Sequence, residues 1–260
     1  MLKSGSVTWL AIDPDKDSLE YCATDRNLSA EVHALGGVGV APSAGKYKLN
    51  VTNVPTGSSL LPIDFPVSAR LASRFDGNYF FPCKSKEVVC ETLEEMISRC
   101  LGDGSAQRCV WIKLDVQGLE HQILNSFMRS SFGRNVIVVE SECSLLSRPL
   151  YEDATKFHEL SVLLEPLGFE LVWIQNVTPS RSNTEVIPAE LDVCFMLSPD
   201  VALGRDLGAN IELINAYICY DLYSEALLHI SAVKAKFDPQ ALSSYPELES
   251  LSADLRRYIG

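Results

Sequence analysis

Val110-Trp-Ile-Lys-Leu-Asp115-Val-Gln-Gly118-Leu-Glu120 is the stretch whose reading decides the fold. A short run rich in β-branched and aromatic residues reads as a buried strand that delivers an acid to its end. Gly118 permits a tight turn and close backbone approach, and helical spacing takes over from Leu119 to Phe127. The same grammar recurs outward in both directions. Val7-Thr-Trp-Leu-Ala-Ile, Val136-Ile-Val-Val-Glu and Phe169-Glu-Leu-Val-Trp-Ile read as strands. Helices are expected from Asp17 to Thr24, from Thr92 to Cys100 and from Tyr151 to Leu167, the last closed by Gly168. Strands alternating with helices predict an α/β fold built on a doubly wound, mostly parallel sheet. Ligands of such sheets sit beyond the carboxyl ends of the strands, so Asp13, Asp115 and Glu140 or Glu142 are expected on one rim.

Composition bounds what this sheet can serve. With 260 residues, 47% hydrophobic and 22% charged, the chain can bury a sizeable core and is far from disordered compositions. Its 22 basic and 34 acidic residues give a net charge of −12, and no basic run tracks phosphates, so nucleic acid is not an expected partner. No apolar run approaches the ~20 residues of a membrane span, and Asp13 and Asp15 interrupt any leader-like start. A soluble, cytoplasmic protein without a membrane partner is expected. The eight cysteines form no C-x-x-C pair and read as reduced, mostly buried thiols, and four scattered histidines predict no metal site.

Residues 1–199 are assigned to the α/β domain. Within it, 51–86 carries Pro55, Gly57, Pro62, Pro66, Gly77 and Pro82 among aromatics, and reads as an irregular insertion, either a lid or a β-extension. Beyond Pro199 only helical spacing remains, so 200–260 is expected to be a helical extension.

Four places can carry chemistry. Asp13, followed by Pro14-Asp15, stands where a carboxylate accepts both hydroxyls of a ribose, or caps a helix. Asp115, with Val116 and Gly118 behind it, is the leading functional residue, against the alternative of a helix cap. Glu140 and Glu142, two apart on one strand face, suit a cation or a substrate hydroxyl, or are solvated rim acids. His121, early in the following helix, is a candidate general base, or a solvated helix position.

Taken together, these segments resemble the FkbM family of S-adenosylmethionine-dependent methyltransferases, whose fold is Rossmann-like. The resemblance rests on Leu10-Ala-Ile-Asp-Pro-Asp, Cys90-Glu-Thr-Leu-Glu-Glu, Ile112-Lys-Leu-Asp-Val-Gln-Gly-Leu-Glu and Val138-Val-Glu-Ser-Glu. It continues through Pro149-Leu-Tyr, Leu167-Gly-Phe-Glu-Leu and Glu190-Leu-Asp-Val-Cys-Phe. It implies that Asp13 and Pro14 hold the cofactor ribose, that Asp115 sits beside the methionine end or the acceptor, and that Val116 and Gly118 also contact the cofactor. It further implies methyl transfer to oxygen of a small-molecule or glycan acceptor, with Asp115, His121 and Glu140 as catalytic candidates. The family opens with a strand, a D-x-G-A-N-x-G turn and a helix, for which Met1 to Val7 leave no room. Gly36-Gly-Val-Gly39 and Asp206-Leu-Gly-Ala-Asn210 are the two stretches that echo such a turn. The alternative to an enzyme is a truncated or inactive domain of this type acting as a ligand-binding or protein-interaction module. A further reading makes the chain part of a longer reading frame.

Overall fold

The computed structural model describes residues 7–19, 31–74, 81–102, 108–176 and 189–259. Its strands are β1 (Thr8–Asp13), β2 (Glu31–Gly36), β3 (Val38–Val40), β4 (Gly45–Thr52), β5 (Pro82–Glu91), β6 (Val110–Leu114), β7 (Val136–Ser144), β8 (Phe169–Asn176) and β9 (Glu190–Leu197). The helices are α1 (Phe65–Arg74), α2 (Leu93–Leu101), α3 (Glu120–Phe127), α4 (Phe157–Leu164), α5 (Pro199–Leu203), α6 (Leu207–Cys219), α7 (Tyr223–Lys236), α8 (Pro239–Leu242) and α9 (Glu247–Ile259).

The strands form three sheets rather than the single, mostly parallel one expected, and the fold is mixed α/β. β1 pairs with β2 in parallel, and β5 joins β3 in parallel and β4 antiparallel. The largest sheet runs β6-β7-β9-β8, parallel only between β6 and β7. The antiparallel half has a local cause: β8 and β9 pair with each other, and such neighbours run antiparallel without a crossover helix. Among the described residues β1 pairs only with β2, and β6 only with β7, so the two sheets do not merge. Their first residues still lie close, because Arg108 Nη1 donates to Thr8 Oγ1 at 3.1 Å.

The core centres on β7, where Val136, Ile137, Val138 and Val139 are all 2% exposed or less. A strand buried on both faces reads as a continuous apolar run, which is why this one shows no alternation. Both α3 and α6 pack against it, bringing Ile123 and Leu124 from one and Ile211 and Ile214 from the other into one core. Residues 199–259 therefore share the domain's core, with Ala226, Ile230, Val233, Leu248 and Leu255 extending it. α2 begins with a reciprocal cap in which Thr92 Oγ1 accepts from Glu95 N and Glu95 Oε2 accepts from Thr92 N.

Residues 51–86 carry more regular structure than the proline spacing suggests: the end of β4, a 3-10 turn at Pro55–Gly57, α1 and the start of β5. α4 is shorter than the periodicity implies. Tyr151 and Lys156 bridge to Ile63 and Ser144, which keeps that segment extended until Phe157. The helix expected from Asp17 shows a 3-10 turn at Asp17–Leu19, and its remainder lies outside the described residues. Among the described residues the cysteines are thiols, with Cys90, Cys143 and Cys194 buried. No described helix is long and apolar enough to cross a membrane.

Candidate active site

The turn from β6 into α3 is held by its own side chains. Gln117 takes a left-handed backbone conformation with φ 56°, and Gly118 follows at φ 121°. The carboxylate of Glu120, in the first turn of α3, folds back over this turn. Its Oε1 accepts from the N–H of Val116 at 3.2 Å and of Gly118 at 3.0 Å, which satisfies amides a turn leaves without partners. Glu120 is 1% exposed, and its Oε2 has no hydrogen-bond partner among the described residues.

Gln117 is the hub of the site. Its Nε2 donates to Asp115 Oδ1 at 2.7 Å and to Glu142 Oε1 at 3.0 Å. The Tyr151 hydroxyl lies 2.7 Å from Gln117 Oε1 and 2.9 Å from the Gly57 carbonyl oxygen, and its one proton serves either. The Ser59 hydroxyl donates to the Gln117 carbonyl at 2.6 Å, pinning the backbone from the other side. The register of β7 on β9 pairs Glu142 with Asp192 and Ser144 with Glu190, so these side chains share one sheet face. Glu120, Glu142 and Glu190 thus converge with Gln117 and Tyr151 on one small cavity.

Burial makes these acids weak. Glu120 is pushed up to about 7 by loss of water, against the pull of the Gly118 and Val116 amides. Glu142 is raised by burial and then by the charges of Glu190, Asp115 and Glu120. Glu190 is raised by burial, Glu120 and Asp115, and Asp192 chiefly by burial. The Tyr151 phenol is raised for the same two reasons and stays protonated.

The residues singled out from the sequence fall in several places. Asp115 is exposed and joins the Gln117 network. Val116 and Gly118 form the turn, but their amides are taken by Glu120, and a Cβ on Gly118 would meet Leu61 Cδ1 at 2.8 Å and Ala154 Cβ at 3.0 Å. The close approach that requires glycine here is therefore by protein. Glu140 is bound by Lys113 and by the Tyr220 hydroxyl and does not line the cavity. His121 is half-buried, and its backbone N–H donates to Thr155 Oγ1 at 2.9 Å. Asp13 closes β1, where its Oδ1 accepts from Asp15 N at 2.6 Å across half-buried Pro14.

Gly36 and Gly37 pack under Lys16, whose Cε would lie 2.6 Å from a Cβ on Gly37. The Asp206-Leu-Gly-Ala-Asn210 stretch opens α6, with Asp206 capping Ala209 N at 2.8 Å, and it follows a helix rather than a strand. Sequence reading missed Gln117, Glu120, Tyr151 and Glu190 as a group. All four stand inside the segments that carried the resemblance, but only the β7–β9 register brings Glu190 alongside the others.

The family model described as the Methyltransferase FkbM domain matches residues 1–171. The chain belongs to the FkbM methyltransferase family. The match spans Asp13, the Asp115–Glu120 turn, Glu142 and Tyr151, so the Gln117 network lies wholly within the FkbM domain. Glu190, on β9, completes the cavity from beyond it. Comparison with curated proteins and with solved structures returned no match.

Proposed function

We propose that this FkbM domain transfers a methyl group from S-adenosylmethionine to a hydroxyl of a small molecule or glycan. The observation that carries the reading is the Asp115–Gln117–Glu142–Tyr151 network at the end of β6, all of it within the residues that the family model matches. The donor set suits this cofactor, whose ribose hydroxyls donate and whose sulfonium and ammonium are cationic, because the side chains at the ends of β1 and β6 are carboxylates. Asp13, with Pro14 setting the turn, would hold the ribose, and Asp115 with Val116 would sit beside the methionine end. Gly118 serves that end indirectly, by letting the turn seat against Leu61 and Ala154.

When bound, the cofactor supplies an electrophilic methyl on a sulfonium. The protein's contribution is then mainly to position an acceptor oxygen in line, which needs no metal or strong base. Gln117 fixes the Asp115 carboxylate for that purpose. His121 is the proposed base for the acceptor proton, and Glu140, held by Lys113 and Tyr220, is a positioning residue.

Isothermal titration of S-adenosylhomocysteine into the protein and into Asp13→Ala, with circular dichroism on both, tests this reading. Micromolar binding by the native chain, weakened at least tenfold in the variant, is expected. A cooperatively folded native chain that binds no S-adenosylhomocysteine refutes it.

A further inference from the structure

A hollow of about 320 Å³ lies beside the small cavity under Gln117 and shares the buried Pro149 and Tyr151 with it. Its size is that of a small-molecule site. The Tyr151 hydroxyl lies 2.7 Å from Gln117 Oε1, so a body in the hollow stands one side chain away from the Gln117–Asp115 pair. One wall is stitched from two segments distant in sequence. The Asp64 N–H donates to the Leu150 carbonyl and the Glu152 N–H to that of Pro62, each at 2.9 Å, and Ile63 bridges to Tyr151 between them. Backbone bonds, not side-chain rotamers alone, therefore set the shape of this wall.

Ligand sites are mostly lined by apolar side chains, but here only Pro149 and Tyr151 supply such surface. Asp64, Glu152 and Asp153 are acids, Arg148 and Lys156 are bases, and Ser147 is neutral. Arg148 and Asp64 answer each other. The guanidinium donates from Nε and Nη2 to the two oxygens of the buried Asp64 carboxylate, which also accepts from Val67 N in the first turn of α1. A guanidinium has five N–H donors and two are used on Asp64, which leaves three with no acceptor among the described residues. Arg148 thus offers donors at a charge already neutralised.

These walls discriminate between ligand chemistries. An anion gains little at a paired guanidinium and meets Glu152 and Asp153 beside it. A cation gains from those acids but meets Lys156 and leaves the spare donors of Arg148 unanswered. An apolar body strips water from charged side chains and pairs with none of them. A hydroxyl both donates and accepts, so it pairs with the N–H groups of Arg148 and Lys156 and with the oxygens of Glu152 and Asp153 alike. We propose that this hollow is the acceptor subsite and takes an uncharged, polyhydroxylated body, a saccharide unit, with Arg148 and Lys156 donating to its hydroxyls and Glu152 and Asp153 accepting from them. The word acceptor rests on the methyl-transfer reading, which the proposal narrows to sugars; the saccharide site itself stands on the hollow alone.

Saturation-transfer NMR with the methyl glycosides of glucose, galactose, mannose and rhamnose tests the proposal. Cyclohexanol, a ring with a single hydroxyl, and L-serine, a zwitterion matched to mixed charges, are the controls. Saturable binding of at least one glycoside is expected, in preference to both controls and unchanged by S-adenosylhomocysteine. Arg148→Lys keeps a positive charge opposite Asp64 but removes the spare donors of the planar fork, and Lys156→Ala removes a donor that holds no wall together. Each should weaken the glycoside about fivefold, the loss of roughly one hydrogen bond, in a protein that circular dichroism shows to be folded. A folded native protein that binds none of the glycosides overturns the proposal. So does cyclohexanol or serine binding as well as the best glycoside, or glycoside binding that neither variant changes. Competition with S-adenosylhomocysteine overturns it too, giving the hollow to the cofactor while the methyl-transfer reading survives. Glycoside binding by a protein that does not bind S-adenosylhomocysteine keeps the saccharide site and removes methyl transfer.

Discussion

His229 in α7 should make the stability of this protein fall on mild acidification, and replacing it with leucine should remove that fall. The side chain is 2% exposed, and neither Nδ1 nor Nε2 has a hydrogen-bond partner among the described residues. The ring of Tyr217 stands edge-on to it, with centroids 6.3 Å apart. Burial holds the imidazole neutral, pushed down to about 4 from its ordinary 6.5. Between those two values the unfolded chain binds a proton that the folded one refuses, so stability drops as pH falls through 6.5 and the loss is complete below 4. At pH 5 the folded protein should have lost about 2 kcal/mol relative to pH 7.5 through this residue alone. Urea unfolding of native protein and His229→Leu at both pH values measures it, because titrations common to both cancel in the difference. The stability gap should shift by that amount in favour of the variant at pH 5. Its sign at pH 7.5 is less informative, since losing orphaned polar atoms and losing the Tyr217 contact oppose each other. Curves for the two proteins that stay parallel from pH 7.5 to pH 5 would refute the reasoning and show that His229 is solvated or partnered in solution.

Two substitutions in the β6–α3 turn test its packing. Gly118→Ala should destabilise by about 2 kcal/mol or more, since its Cβ runs into Leu61 and Ala154 and its φ of 121° is one L-residues avoid; a thermal midpoint within a degree of native would contradict this. At Gln117, Gly and Ala both remove the hub side chain, but only Ala must bear the left-handed φ of 56°, so Gln117→Gly should exceed Gln117→Ala in stability by about 1 kcal/mol, read from paired urea midpoints.

Much of the scaffold was legible because burial leaves a plain mark. β6 runs from Val110 to Leu114, as its apolar run indicates, and the Thr92–Glu95 cap announces α2. What was not legible is non-local. The sequence of β8 and β9 says strand but not direction, and their mutual antiparallel pairing is what turns a nominally parallel sheet into a mixed one. Proline spacing in 51–86 hid α1, because Pro66 stands within its first turn, where a missing N–H costs nothing. The site divides the same way. Asp115 is marked by its place after a strand, whereas Glu120 looks like any acid in a first helical turn. Only the folded chain shows that one of its oxygens caps Val116 and Gly118 while the other is left over.

That leftover oxygen bears on why the turn is built with an acid. A glutamine at position 120 would accept from the same two amides without carrying a charge into the interior, so capping alone does not call for a carboxyl. The charge has a cost: an acid whose folded value is raised destabilises the fold above its unfolded value and is relieved as pH falls, the opposite slope to His229. The same is true of Glu142 and Glu190, which are raised together and face the same small volume. Three buried acids that each weaken the fold at neutral pH are thus a stability cost that the hydrogen bonds of the turn do not by themselves explain.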